Sequence, residues 1–71
     1  MTPKQLAQAR ERLGLTLSEM ADMLGYEGEQ RRQMVHKLEA GLRTIRKPQR
    51  LLIEAYLSGY RPKDWPGTDH K

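Results

Sequence analysis

The sequence predicts an all-α domain of four to five helices, and three observations predict it. Gly and Pro cut the chain into four segments, each with apolar residues at helical spacing. No stretch alternates apolar and polar residues over a useful length, so no sheet is expected. The chain has 71 residues, which gives room for one small core and no more.

The first segment opens at Thr2. Thr2 can cap, Pro3 suits the first helical position, and Gln5 can reach back to complete a capping box. Leu6, Ala9 and Leu13 form its apolar face, and Gly14 ends it. Thr16 and Glu19 make a second capping box, followed by Leu17, Met20, Ala21 and Leu24 on one face and Gly25 as the stop. The third segment is expected over 29–40, with Gly41 beyond it. Val35, Leu38 and Leu42 continue its apolar side, and Gln30, Gln33, Lys37 and Ala40 lie opposite. Pro48 starts the fourth segment and Gly59 closes it, with Leu51, Leu52, Ala55 and Tyr56 as the expected stripe. The domain is expected to fill 1–59. Residues 60–71 hold Pro62, Pro66 and the single tryptophan, Trp65, and read as an irregular tail that orders if Trp65 docks.

Composition excludes several classes. There is no cysteine, so disulfides and cysteine metal sites drop out. The two histidines, His36 and His70, lie far apart, and no metal or other cofactor is expected. No apolar run approaches the roughly 18 residues of a membrane span, and the first residues lack an apolar signal core. A cytoplasmic protein is expected. No nucleophile–base pair is visible, and a core this small leaves little room for a water-excluded pocket, so an enzyme is not expected. Met20, Met23 and Met34 read as packing residues. The net charge of +4 suits a polyanionic partner.

The second and third segments carry a spaced pattern. A small residue, Ala21, stands where two short helices must cross. Gly25 follows at a sharp turn, and Val35 and Leu38 then seat the next helix. Together these make a helix-turn-helix layout.

Arg10, Gly14-Leu15-Thr16, Ala21, Leu24-Gly25, and Val35 with Leu38-Glu39-Ala40-Gly41 resemble the Cro/lambda-repressor family, also called XRE. The resemblance covers roughly residues 3 to 57. It implies a lambda-repressor-like fold, a third helix that reads the major groove of double-stranded DNA, and a dimer on an inverted-repeat operator. It also implies a pair between Arg10 and Glu39 that ties the first helix to the end of the third. Two features depart from the family. Leu17 stands where a phosphate-contacting glutamine is usual, which leaves the helix start at Thr16 as the expected backbone contact. The stretch from Gly25 to Glu39 is also four residues longer than in most members. The extra residues, within 26–30, either extend the recognition helix by about a turn or lengthen the connection. Glu27 and Glu29 would face phosphates poorly, which favours a longer turn bent away from DNA.

Aligned on Glu39, the resemblance puts Arg32, Gln33 and Lys37 at base-reading positions, with Arg31 and His36 beside them. The chemistry suits this, because arginine pairs with guanine O6 and N7 and glutamine with adenine N6 and N7. Arg43, Arg46, Lys47 and Arg50 follow where family members contact the backbone. The expected dimer surface is Leu52, Ala55, Tyr56, Tyr60 and Trp65, and Trp65 can instead plug the core. The resulting expectation is an autoregulating repressor, such as a phage repressor or an anti-CRISPR-associated regulator. The alternative is an antitoxin that chiefly binds a partner toxin.

Overall fold

A computed structural model of the chain describes residues 1–66. His70 and the rest of 67–71 lie outside the described residues. Four helices follow in order: α1 (Pro3–Leu13), α2 (Leu17–Met23), α3 (Arg31–Glu39) and α4 (Lys47–Leu57). Among the described residues there is no strand.

Local chemistry sets where the helices begin. The Gln5 backbone N–H donates to Thr2 Oγ1 at 3.1 Å, and the Thr2 N–H donates to Gln5 Oε1 at 2.9 Å. Thr16 and Glu19 repeat the exchange at 3.1 and 2.9 Å. Each box satisfies two N–H groups that the first turn leaves without a partner. The helix ends are also alike. After α2 the Gly25 N–H donates to the Asp22 carbonyl and the Tyr26 N–H to Ala21; after α3 Gly41 and Leu42 donate to Leu38 and Lys37. Gly25 and Gly41 have φ of 88° and 80°, in the left-handed region where a Cβ is costly.

The turn after α3 changes one expectation. Leu42 does not continue the apolar face of α3; it is 72% exposed. The left-handed residue at Gly41 ends the helical phase, so spacing counted through it no longer predicts a direction. The connection from α2 to α3 spans residues 24–30 and contains no helix, so residues 26–30 belong to the turn and α3 starts at Arg31 rather than 29.

The core gathers where the helices meet. Leu6 and Ala9 come from α1, Met20 and Ala21 from α2, Val35 and Leu38 from α3, and Ile53 and Tyr56 from α4. Met20, Ala21, Val35 and Ile53 are wholly enclosed. α3 packs mainly on α2 and also touches α1, while α4 packs on α1. The buried stripe of α4 differs from the expected one. Ile53 and Tyr56 point inward, Ala55 is half-buried, and Leu51 and Leu52 remain exposed at 48% and 37%. Apolar residues at 51, 52, 53, 55, 56 and 57 run nearly all round this helix. Periodicity then selects no face, and packing against α1 does.

Two polar ties complete the frame. Arg10 Nε donates to Glu39 Oε2 at 2.7 Å, Nη2 to Oε1 at 3.3 Å, and Nη1 to the Leu15 carbonyl at 3.0 Å. This two-pronged grip joins α1 to the end of α3. The Tyr56 hydroxyl donates to the Met23 carbonyl at 2.7 Å and joins α4 to the end of α2. Beyond α4, Tyr60 stacks on Tyr56 with centroids 6.0 Å apart, and Trp65 meets Tyr56 edge-on at 5.1 Å. The Arg61 guanidinium lies 4.2 Å from the centre of the Trp65 ring and donates to the Tyr56 and Tyr60 carbonyls at 2.8 Å each. The tail as far as Pro66 is therefore packed on the domain through Trp65.

Candidate nucleic-acid interface

α3 carries the candidate site because its two sides are chemically opposite. Val35 and Leu38 anchor it to Ala21 and the rest of the core. Arg32, Gln33, His36 and Lys37 are exposed on its outer side. No carboxylate pairs with Arg32 or Lys37 among the described residues. From Arg32 to Lys37 the helix rises roughly 7.5 Å, about the rise of two base pairs. The row thus presents a guanidinium, a carboxamide, an imidazole and an ammonium over the length of a short sequence element.

The neighbouring charges are unevenly spread. Residues 31–50 hold seven of the 13 Lys and Arg residues and one acid, Glu39. Glu39 is consumed by Arg10, with the two side chains only 13% and 21% exposed. The outer side of α3 and the segment after it therefore keep an unbalanced positive charge. Arg43, Arg46 and Lys47 are exposed beside it. Arg43 Nη1 approaches Met34 Sδ at 3.4 Å and lines a groove with Thr44, Arg46 and Gln49.

Two expected contact residues are placed differently. Arg31 Nε is held by Asp22 Oδ1 at 2.7 Å, and its Nη1 donates to the Gly28 carbonyl at 3.1 Å. It closes the turn between α2 and α3 instead of joining the exposed row. Nine residues separate Asp22 and Arg31 across a non-helical turn, so no helical spacing links them in the sequence. Arg50 donates to Glu54 Oε2 at 2.9 Å and lines the groove between α1 and α4 with Gln8 and Arg12, whereas Arg43 and Arg46 line the other groove. That pair is one helical turn apart, and its i, i+4 spacing is readable from sequence.

Thr16 is exposed at the start of α2, with its hydroxyl oxygen occupied by the cap. Leu17, next to it, is half-buried. With Arg32, Gln33 and His36 it lines a shallow recess of about 270 Å³ between α2 and the outer side of α3. Spacing alone made Leu17 a core residue and gave no sign of this second neighbourhood.

The expected surface for a second copy is partly used within the chain. Tyr56 is buried, and Trp65 is half-buried against it. Leu52 and Tyr60 remain exposed, and Leu51 joins them. Burial pushes the Tyr56 hydroxyl pKa above its ordinary value of 10.0, with smaller contributions from Tyr60 and Asp64.

No helix among the described residues is long and apolar enough to cross a membrane. The chain matches no protein-family model, no characterised protein and no solved structure.

Proposed function

We propose that the chain is a sequence-specific, double-stranded-DNA-binding transcriptional regulator of the Cro/lambda-repressor type, acting in the cytoplasm as a dimeric autorepressor. The observation that carries the reading is the exposed row Arg32, Gln33, His36 and Lys37 on a helix whose other side is locked into the core. Arg32 and Gln33 supply the bidentate groups that match guanine and adenine edges, and Lys37 adds a donor one turn on. Arg43, Arg46 and Lys47 neutralise phosphates and set the register, which adds affinity with little sequence information. Arg10 and Glu39 hold the end of α3 against α1, so the row meets the groove as a rigid unit. The exposed Leu51, Leu52 and Tyr60 favour pairing of two copies through α4. The two recognition helices would then enter successive major grooves, roughly 34 Å apart.

The test is fluorescence anisotropy of the full chain on the duplex directly upstream of its own gene, beside a scrambled duplex, across a salt series. Tight binding to the native duplex alone is expected. Equal, steeply salt-dependent binding to both would reduce the surface to a non-specific polycation and overturn the reading. Sedimentation of the complex is expected to give two chains per duplex.

A further inference from the structure

The recess formed by Leu17, Arg32, Gln33 and His36 holds one apolar group among three polar ones. The side chains of Arg32, Gln33 and His36 have no partner among the described residues, so all three are free to meet a ligand. Leu17 offers neither donor nor acceptor. It gives nothing to a phosphate oxygen or to a base nitrogen, and part of its hydrocarbon stays exposed in the recess. Of the groups that base pairs show in the major groove, one is apolar: the 5-methyl of thymine. 5-Methylcytosine shows the same group. An A·T pair also shows adenine N6 and N7, the two atoms that a glutamine carboxamide matches. Leu17 and Gln33 therefore offer complementary chemistry to the two members of one pair.

We infer that Leu17 is a specificity-determining residue whose side chain receives the 5-methyl group of a pyrimidine in the half-site. This rests on the proposed DNA-binding reading and deepens it. Arg32 and Gln33 supply hydrogen bonds to base edges, and Leu17 supplies the hydrophobic contact beside them.

The experiment starts with selection of tight duplexes from a randomised pool, using the full chain. Each thymine of the selected half-site is then replaced by deoxyuridine, which removes the methyl and leaves the pairing edges intact. One such replacement is expected to weaken wild-type binding about fourfold, the effect of one buried carbon. Leu17→Ala should bind more weakly and lose the response to that replacement, while Leu17→Met, which keeps a hydrocarbon, should retain it. Thermal denaturation of both variants checks that they fold. With cytosine at the same position, a larger gain from 5-methylation than from restoring thymine would assign the site to methylated DNA. The reverse would assign it to thymine. A selected duplex whose thymines can all become uridine without a Leu17-dependent loss overturns the inference and leaves DNA binding standing. If no duplex is selected over the pool, both fall.

Discussion

Arg10 and Arg32 carry the same charge on helices that touch, yet their surroundings differ. Arg10 is four-fifths covered and makes three hydrogen bonds, two of them to Glu39. Arg32 is exposed and has no carboxylate partner among the described residues. Arg31 and Arg50 stand with Arg10, each held by an acid, and Arg43, Arg46 and Lys47 stand with Arg32. Glu39 and Asp22 are spent on holding the frame together, and Arg32, Arg43, Arg46 and Lys47 are left without a carboxylate partner among the described residues. A net charge of +4 says little about function, but its distribution says more.

This contrast can be broken by experiment. Arg10→Met is expected to have the largest effect, a loss of about 2–4 kcal/mol of stability in urea denaturation, because it strands a mostly covered Glu39. Glu39→Met added to it should recover much of the loss. If the double variant is no more stable than the single one, the penalty does not come from an unpaired carboxylate. Arg32→Ala should do the opposite. Stability should stay within about 0.5 kcal/mol, while binding to a selected duplex falls by about 1–3 kcal/mol and discrimination at one base pair relaxes. An equal loss on every sequence would assign Arg32 to phosphate contact instead of base readout.

Tyr56→Phe comes next. It removes the hydrogen bond to the Met23 carbonyl and should cost about 1–2 kcal/mol. It also carries a pH signature. The folded Tyr56 pKa lies above 10.0, so the neutral phenol is favoured in the folded state. Its contribution is whole below pH 10 and falls as pH climbs from there through the folded value. A wild-type chain should lose stability in that alkaline window faster than Tyr56→Phe does. The smallest effects separate two surface arginines. Arg46→Ala should weaken all duplexes alike and reduce the salt slope by about 0.9, whereas Arg50→Ala should leave binding unchanged and cost under about 0.5 kcal/mol of stability. Matching binding losses would put both on the phosphate backbone.

Much of the frame is legible in the sequence because it is made by neighbours in the chain. Thr2 with Gln5 and Thr16 with Glu19 are three residues apart, and Gly14, Gly25, Gly41 and Gly59 mark ends through their own backbone. Ala21, Val35 and Leu38 are legible as core for the same reason: each lies on a short helix with a clear apolar face. Legibility fails where direction depends on something distant. Leu42 lies past a left-handed residue that resets the phase, and the apolar residues of α4 surround the helix, so only its packing on α1 selects Ile53 over Leu51 and Leu52. Within the candidate site, the outward row of α3 follows from helical geometry. The pairing of Arg31 with Asp22 and the recess around Leu17 follow from how α2 and α3 are joined, and a turn of irregular backbone carries no period to read.

Trp65 lies edge-on to Tyr56 and under Arg61, and it is the only tryptophan. Its indole emission is therefore a built-in optical probe of one junction, where the tail meets the end of α4. Far-UV ellipticity reports the helices as a group. If emission and ellipticity change together on heating, the tail belongs to the same cooperative unit as the helices. If emission changes first, residues 60–66 detach as a separate step, and the domain can shed its tail while α3 stays in place.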